Sequence, residues 1–329
     1  MHTILIVGFG SIGKRHLENI LANYNDVKVI VCTKRTDLKG LERLGVTIVN
    51  SLSEALLYKP DIGFITNESS YHVNTAITLA KNGIDLFIEK PLSNSIHSVN
   101  YLRSIIKNKK LITQIGCNMR FHPCIIKIKE ILDKRKLGRV ISVQVESSSF
   151  LPDWHPYEDY RYGYAARKNL GGGISLTCIH EIDFLYWFFG DVKKIFSITG
   201  KYSDLEVTAD DLSAITLVFK NKIIGEVHLD YCQRPDFKSC KIIGTKGTMY
   251  WDSSTNEVKI FYQNKKQWKS ILKLSDFQRN SMYVDELEHF FKCIKKRTKT
   301  VNDIDDGIKT LKIVLGAQKS SSLEKMISV

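Results

Sequence analysis

Several features that would direct this chain to a membrane, a secretory route or a metal are missing from its sequence. No apolar run approaches the roughly 18–20 residues that a membrane-spanning helix needs, and residues 1–9 lack the basic region, long apolar stretch and cleavage site of a signal peptide. The seven cysteines include no CxxC pair, and the nine histidines form no HxH, HExxH or mixed Cys/His ligand spacing. These absences predict a cytoplasmic protein with reduced thiols and no metal site.

The chain also lacks internal repeats, low-complexity tracts and flexible linkers, and its charge is far from balanced. It has 329 residues, 43% of them hydrophobic, and a formal net charge of +13, so we expect two domains with large cores. Nucleic acid is one candidate partner for such a charge. However, the lysines are dispersed, and the dense cluster Lys295-Lys296-Arg297 falls at a predicted helix end, where cations favour the helix dipole. We therefore expect an anionic cofactor and an anionic substrate instead.

A glycine-rich turn joins a short apolar strand, residues 3–7, to a helix with apolar residues at helical spacing. The turn is Gly8-Phe9-Gly10-Ser11-Ile12-Gly13, and a second apolar strand follows at 27–32. In a βαβ unit such glycines let the backbone approach a pyrophosphate, whose charge then meets the N-terminus of the helix. The sequence predicts a dinucleotide site at these six residues; a plain tight turn is the alternative.

The end of the second predicted strand indicates which dinucleotide binds. An NAD-selective site usually has an Asp or Glu there for the ribose hydroxyls, but this strand ends in Cys32-Thr33-Lys34-Arg35, and no carboxylate occurs before Asp37. Thr33, Lys34 and Arg35 could instead hold a 2′-phosphate through charge-assisted hydrogen bonds. We therefore predict NADP in preference to NAD. The alternative is a solvated basic turn.

Predicted strands and helices alternate through the first 118 residues. The strands cover 3–7, 27–32, 46–49, 61–66, 84–88 and 111–116, and the helices lie near 12–21, 36–44, 53–58, 70–82 and 93–108. This alternation is typical of a doubly wound parallel sheet, so we predict an α/β protein with an N-terminal Rossmann domain over residues 1–118.

The regular alternation of predicted strands and helices ends after residue 118. Further helices are predicted near 123–134, 174–189, 284–296 and 303–325, and a half-buried strand covers 140–147. More strands are centred near residues 195, 215, 224, 242, 249, 260 and 272, joined by short turns. We predict a second α/β domain, residues 119–329, with a large, mostly antiparallel open sheet.

The fifth predicted strand ends in Glu89-Lys90-Pro91, at the edge of the sheet where ligands bind in open α/β folds. Proline restricts the preceding residue to extended geometry, so Lys90 has a defined direction. A lysine there can hydrogen-bond a reacting oxygen and stabilise alkoxide character as a hydride leaves the adjacent carbon. On position alone, the alternative is an ordinary surface lysine.

A second group of candidate catalytic residues follows three consecutive glycines. Gly171-Gly172-Gly173 precede a predicted helix on which His180 and Asp183 share a face. Because the pKa of histidine lies near neutral pH, His180 could take a hydroxyl proton and return it. The alternative is a capped helix with a buried histidine.

Five stretches together carry a family resemblance. They are GFGSIG over 8–13, TNESSYH over 66–72, IEKPLS over 88–93, NMRFHP over 118–123 and GGGISLTCIHEIDFLYWFFG over 171–190. With them the chain resembles, over nearly its whole length, the glucose-fructose oxidoreductase, inositol dehydrogenase and MocA (Gfo/Idh/MocA) oxidoreductases. The resemblance implies a Rossmann domain followed by an α/β domain whose open sheet often forms a dimer or tetramer interface. It also implies redox chemistry at a sugar or cyclitol carbon with a nicotinamide cofactor.

The resemblance assigns roles to particular residues. It implies that Lys90 contacts the reacting hydroxyl and that His180 is the acid/base. It places Asn67, His72 and Glu89 on the nicotinamide side and Arg120 near cofactor and substrate, and Thr66 and Lys90 are also expected to contact the cofactor.

The chain departs from the family pattern at three places. Where members frequently have an Asp shortly before the histidine, this chain has Leu176 and Thr177, and a threonine at a substrate-contacting position cannot raise histidine basicity as a carboxylate would. Glu68 replaces a frequent proline. The basic turn at Lys34 and Arg35 agrees with NADP-type members.

The segment 151–169 is long for a connection and rich in aromatic and basic residues. Long ordered loops of this kind often bind ligands. Aromatic faces suit sugar rings, and basic side chains suit a phosphate or carboxylate. The residues expected to contact substrate are Trp154, Tyr160, Arg167 and Lys168, together with Lys90, Arg120, Thr177 and His180. An arm that packs on a neighbouring subunit is the alternative.

This loop is similar to that of members from surface-polysaccharide or nonulosonic-acid pathways. We therefore expect an NADP(H)-dependent dehydrogenase or ketoreductase for a nucleotide-linked or acidic sugar, assembled as a homodimer or homotetramer through the C-terminal sheet. A cyclitol dehydrogenase and a catalytically silent NADP-binding regulator are the alternatives.

Overall fold

The computed structural model describes residues 2–36, 38 and 40–329. The chain divides into two compact units. The first contains the chain up to Cys117 and the return segment Asn280–Ile308, and the second contains Asn118–Arg279 and Lys309–Val329. The return segment therefore packs with the first unit, whereas a single boundary after residue 118 would assign it to the second.

The first unit is built on a six-stranded parallel sheet, as the sequence predicted. The strands are β1 (His2–Val7), β2 (Val27–Cys32), β3 (Thr47–Val49), β4 (Ile62–Ile65), β5 (Asp85–Glu89) and β6 (Thr113–Gly116). Their order in the sheet is β3-β2-β1-β4-β5-β6, and every neighbouring pair is parallel. This is the strand order of a Rossmann fold, in which ligands bind at the carboxyl edge where the order reverses.

Four helices connect these strands: α1 (Ser11–Asn23), α2 (Leu52–Leu57), α3 (His72–Lys81) and α4 (Val99–Lys109). The helix predicted over 93–108 begins only at Val99. Upstream, the Ser93 and Ser95 side chains accept hydrogen bonds from the backbone N–H groups of Ser95 and His97, and Ser98 is left-handed with φ 58°. Local side-chain bonds of this kind compete with a helix.

The helix predicted over 36–44 was also wrong in the part that the structure describes. There it is a 3₁₀ turn, Glu42–Leu44, because Gly40 and Gly45 adopt positive φ of 98° and 73° on either side. Asp37 and Lys39 lie outside the described residues.

The second unit contains a nine-stranded sheet. Its strands are β7 (Val140–Ser148), β8 (Val192–Gly200), β9 (Leu212–Phe219), β10 (Ile224–Asp230), β11 (Phe237–Gly244), β12 (Gly247–Asp252), β13 (Glu257–Tyr262), β14 (Gln267–Lys273) and β15 (Ile327–Ser328). The order is β14-β13-β12-β11-β7-β10-β9-β8-β15, and only β7 and β10 pair in parallel. The prediction of a mostly antiparallel sheet is confirmed.

Helices α5 (Pro123–Asp133), α6 (Ile174–Thr177) and α7 (Ile179–Phe189) belong to the second unit. The helix predicted over 174–189 is therefore two helices, because the chain turns at Cys178, with φ −94° and ψ 36°. The predicted long loop after β7 is ordered as four short 3₁₀ turns, Leu151–Asp153, Tyr160–Tyr162, Tyr164–Ala166 and Lys168–Leu170. We call residues 149–170 the arm.

Two further helices lie between β14 and β15 along the chain, α8 (Ser281–Lys296) and α9 (Ile304–Ser322). Helix α8 belongs to the core of the first unit. Phe64 and Phe87 stack with their ring centroids 4.9 Å apart, and Phe290 of α8 packs edge-on against both rings. Leu287 joins the same cluster. Burial of these side chains, worth about 1.5–3 kcal/mol each, explains why the return segment packs with the first unit.

Candidate active site

The glycine-rich turn between β1 and α1 has the shape that a dinucleotide needs. Gly8 has φ +92°, and a Cβ added there would lie 2.5 Å from the Asn67 backbone. A Cβ on Gly13 would lie 2.5 Å from the Gly8 carbonyl oxygen, whereas a Cβ on Gly10 would meet nothing within 4 Å. Gly8 and Gly13 are thus required by close packing, and Gly10 leaves space beside the chain, as a GxGxxG turn does for a pyrophosphate.

Helix α1 directs its N-terminus at that space. Its N-cap is Gly10, and its first turn contains no acidic residue, so backbone N–H groups and the helix dipole face an approaching anion. Ser11 and Ile12 form the start of this helix. The hydroxyl of Thr66 lies 2.7 Å from the Gly8 carbonyl and 3.1 Å from that of Val7. Thr66 therefore holds the glycine turn in place.

The end of β2 brings Arg35 onto the same turn. Thr33 is buried, and its hydroxyl accepts a hydrogen bond from the Arg35 backbone N–H at 3.2 Å. The Arg35 guanidinium donates to the carbonyl of Phe9 at 3.4 Å, and Lys34 is exposed. Of these three side chains, that of Arg35 contacts the glycine turn, and Thr33 holds the backbone of Arg35.

The carboxylate before Lys90 is directed into the core. Glu89 lies with Oε1 2.8 Å from Nε2 of His16, and its Oε2 accepts the Lys90 backbone N–H at 3.2 Å. A Cβ on Gly116 of β6 would lie 2.9 Å from the same carboxylate. Glu89, which the resemblance placed beside the nicotinamide, is therefore bound to α1 and to the backbone. His16 has no place in the sequence motifs, since its partner is 73 residues away.

His72 also contacts backbone. Its Nδ1 lies 2.8 Å from the Pro91 carbonyl and its Nε2 lies 2.8 Å from the Asn67 carbonyl. Burial lowers the pKa of His72 below its usual range, against the opposing effect of the two carbonyls. Asn67 donates from Nδ2 to the Thr75 hydroxyl at 3.2 Å. His72 therefore joins the segments that follow β4 and β5.

In the second unit, the triple glycine leads into the helices that carry Thr177 and His180. Gly173 has φ +111°, and a Cβ there would lie 2.3 Å from Oδ1 of Asp210. Asp210 accepts the Ser175 backbone N–H at 2.9 Å and so holds the start of α6. Burial raises the pKa of Asp210, although the hydrogen bonds from Ser175 oppose that shift. His180 is partly exposed in the first turn of α7, and Thr177 is buried.

Two buried carboxylates follow His180 on α7, and each binds a cation. Asp183 accepts two hydrogen bonds from Arg120, at 2.7 and 2.8 Å, with both side chains fully buried. Glu181 accepts from Lys238 of β11 at 2.5 Å. Arg120, expected near cofactor and substrate, is thus committed to a bidentate ion pair that holds α7. Glu181 lies within the 171–190 stretch but was given no role there, and Lys238 is part of no motif, so sequence reasoning missed this second pair.

The predicted substrate residues of the arm mostly hold the arm itself. Trp154 donates from its indole to Ser149 at 2.9 Å, the hydroxyl of Tyr160 accepts the Glu206 backbone N–H at 3.2 Å, and Arg167 donates to the Arg161 carbonyl at 2.7 Å. Lys168 donates its backbone N–H to Thr208 at 3.0 Å, and its side chain is exposed. Of these four, Lys168 is the one whose charged group faces solvent.

Comparison with known proteins defines the family. Residues 2–117 match the oxidoreductase family model with an NAD-binding Rossmann fold, and residues 125–250 match the GFO/IDH/MocA C-terminal domain. The two matched ranges cover most of the chain. This protein belongs to the Gfo/Idh/MocA family. It is therefore an oxidoreductase with an NAD-binding Rossmann fold, and the glycine turn and the N-terminus of α1 fit that cofactor.

Relatives of this Gfo/Idh/MocA protein span its whole length. A myo-inositol 2-dehydrogenase of Thermotoga maritima is 25% identical over 338 residues, covering 98% of this chain and 97% of the relative. Levoglucosan dehydrogenase in complex with NADH superposes with a TM-score of 0.88 at 16% identity, covering 100% and 99% of the two chains. The WlbA dehydrogenase of Bordetella pertussis, in complex with NADH and UDP-GlcNAcA, gives 0.85 at 19% identity, covering 100% and 97%. At these identities the structural likeness shows the fold.

No described helix of this family member is both long and apolar enough to cross a membrane. Within residues 2–36, 38 and 40–329, no group of three or more His, Cys, Asp or Glu side chains is arranged to hold a metal ion.

Proposed function

We propose that this protein is an NADP(H)-dependent dehydrogenase or ketoreductase that acts on a CH–OH group of a nucleotide-linked or acidic sugar. The observation that carries the proposal is the open space at Gly10, at the N-terminus of α1, with Arg35 hydrogen-bonded to the carbonyl of Phe9 beside it. A phosphate-rich dinucleotide has the charge and shape that this arrangement accepts.

Two side chains have the chemistry for the reaction. The bound nicotinamide supplies the hydride acceptor for oxidation and the donor for reduction. In the proposal, Lys90 donates a hydrogen bond to the substrate oxygen and stabilises its negative charge, and His180 takes the hydroxyl proton during oxidation and returns it during reduction. In the proposal, Thr177 contacts the substrate without adding charge.

The preference for NADP rests on the end of β2. Thr33, Lys34 and Arg35 offer a hydroxyl and two cations for a 2′-phosphate, and β2 itself ends in Cys32 rather than a carboxylate. Hydrogen bonds to charged groups are worth about 1.5–3 kcal/mol each, so one such contact shifts the preference roughly tenfold or more.

The substrate class rests on charge and on one structural neighbour. The chain has a formal net charge of +13, and the exposed ammonium of Lys168 suits a carboxylate or phosphate. WlbA, which shares the fold, was solved with the nucleotide-linked acidic sugar UDP-GlcNAcA. The inositol dehydrogenases among the relatives favour a cyclitol as the second candidate.

We also propose a homodimer or homotetramer through the C-terminal sheet. On β8, Phe196 and Ile198 are exposed, and on β10 the exposed Glu226 and His228 alternate with buried Gly225 and Val227. A sheet face with exposed apolar side chains is suited to a second copy of the chain.

A substrate panel tests the proposal. Nucleotide-linked sugars, acidic sugars and inositols are each mixed with the enzyme and either NADP⁺ or NADPH, and absorbance of the reduced nicotinamide is followed. Turnover of a nucleotide-linked or acidic sugar is expected. Turnover of inositols alone would establish the cyclitol alternative, and NADPH binding without turnover across the panel would contradict the enzyme proposal in favour of a silent regulator.

A further inference from the structure

Lys90 lies between two residues that are each tied to a buried histidine. Before it, the carboxylate of Glu89 contacts His16, and after it, the carbonyl of Pro91 contacts His72. The two histidines are 0% and 1% exposed. Lys90 itself directly follows β5, at the carboxyl edge of the parallel sheet, where this fold binds ligands.

His16, which contacts Glu89, belongs to α1, the helix whose N-terminus faces the proposed cofactor site. It lies in the second turn of α1, and its ring packs against those of Phe64 and Phe87, with centroids 5.3 and 4.8 Å away. Its Nδ1 is buried and has no hydrogen-bond partner in the described part of the chain. Burying an imidazole with one nitrogen unsatisfied costs free energy that an apolar residue of the same size would avoid. We therefore attribute the contact between His16 and Glu89 to function rather than to stability.

Glu89 connects His16 to the backbone of Lys90. Its second oxygen accepts the Lys90 backbone N–H at 3.2 Å. The carboxylate has little freedom, because Gly116 lies so close that an added Cβ would be 2.9 Å from it. A direct chain of contacts thus runs from α1, through His16 and Glu89, to the backbone of Lys90.

His72 contacts Pro91, the residue that follows Lys90. Its two ring nitrogens lie 2.8 Å from the carbonyls of Pro91 and Asn67, so one imidazole joins the segment after β5 to the segment after β4. Asn67 in turn lies against the glycine turn, since a Cβ on Gly8 would be 2.5 Å from its backbone. Both histidines therefore connect Lys90 to parts of the dinucleotide cradle.

We propose that His16 and His72 are positioning residues, which fix the backbone of Lys90 relative to the helix and turn that receive the cofactor. The inference rests on the proposed function, in that Lys90 acts on the substrate. Since displacing a reacting group by about 1 Å can cost roughly 100-fold in rate, loss of either contact lowers kcat more than it changes the KM of the sugar.

The test compares His16→Phe, His16→Gln and His97→Gln. Phe keeps a ring but removes the nitrogen that meets Glu89, Gln places an amide N–H near the same position, and His97 is an exposed histidine of the same unit that serves as the control. We expect kcat to fall roughly 10- to 100-fold in His16→Phe, to recover in part in His16→Gln and to stay unchanged in His97→Gln. His72→Phe should behave as His16→Phe does.

A second measurement does not depend on turnover. Hydrogen exchange of the segment 88–92, followed by mass spectrometry without cofactor, should be faster in His16→Phe than in the wild type because the Lys90 N–H loses its fixed acceptor. If the wild type turns over no substrate, the proposed function fails while this exchange still tests the positioning.

Unchanged exchange and unchanged kcat in folded His16→Phe would overturn the inference, as would equal losses in His16→Gln and His16→Phe. If His16→Phe does not fold, Glu89→Gln replaces it in both measurements, with the same expectation.

Discussion

The imidazole of His122 accepts a hydrogen bond through Nδ1 from the backbone N–H of Cys124 at 3.1 Å, and so caps the N-terminus of α5. This contact requires the neutral form of the ring. Burial, reinforced by the charge of Lys238, lowers the pKa of His122 from 6.5 to about 4.

The lowered pKa predicts a loss of stability in acid. Because the unfolded chain takes up this proton near pH 6.5 and the folded chain only near pH 4, the contribution of His122 is complete above pH 6.5 and decreases as the pH falls to about 4, by up to about 3 kcal/mol. Urea denaturation across this pH range measures it. His122→Asn, which keeps a capping side chain without a titrating group, should flatten the dependence; an equally steep curve in that variant would refute the assignment.

Gly10→Ala should separate cofactor binding from folding. The backbone of Gly10 has φ −84°, and an added Cβ meets nothing within 4 Å, so the melting temperature should barely change. A methyl group in the path of the pyrophosphate should weaken NADPH binding roughly tenfold or more, or about 1.4 kcal/mol. Fluorescence titration with NADPH provides the measurement. By contrast, Gly13→Ala should destabilise the fold, since its Cβ would collide with the Gly8 carbonyl.

Arg35→Glu should reverse the cofactor preference. Replacing a cation by a carboxylate removes a partner of the 2′-phosphate and offers an acceptor for ribose hydroxyls, so NADPH affinity should fall at least roughly tenfold while NADH affinity rises or holds. Lys265→Glu makes the same charge change in an exposed turn of the second unit and serves as the control. Unchanged NADPH affinity in Arg35→Glu would remove the NADP assignment.

Lys90→Ala should reduce turnover by roughly 100-fold or more, because a group that stabilises charge on the reacting oxygen acts mainly in the transition state. Steady-state kinetics on the best substrate of the panel measure the loss. Turnover close to that of the wild type would mean that Lys90 has no part in the chemistry.

We expect substitution of Arg120 to lower the stability of the fold. Removing one partner of the buried pair with Asp183 leaves an uncompensated charge, which costs about 3–5 kcal/mol, so Arg120→Met should be strongly destabilised in urea. The double variant Arg120→Met with Asp183→Leu should recover much of that loss. Arg161→Met breaks exposed pairs with Asp159 and Glu206 and should leave stability nearly unchanged. Additive losses in the double variant would argue against a coupled pair.

The fold was largely predictable, because its signals are local. The glycine turn at 8–13 and the periodic apolar strands around it define a Rossmann unit within short windows of sequence. Alternating residues over 140–147 likewise predicted a half-buried strand, which the structure has as β7. The start of α4 at Val99 was missed because the Ser93 and Ser95 side chains bond the backbone, which apolar periodicity does not record.

The contacts of the candidate site were harder to predict, because they join residues far apart in sequence. His16 and Glu89 are 73 residues apart, and Arg120 and Asp183 are 63 apart. A motif identifies each residue type but does not specify which charged groups will pair in the core. The apolar face of α8 was equally visible in the sequence, yet nothing local showed which core Leu287 and Phe290 would join.

The return of residues 280–308 to the first unit has a consequence for biosynthesis. The ribosome synthesises the six parallel strands long before α8. Until Phe290 is translated, the apolar surface around Phe64 and Phe87 therefore has no helix to cover it. A fragment that stops near residue 118 would carry that surface permanently and should aggregate. Neither half of this enzyme can therefore complete its fold before the residues from 280 onward emerge.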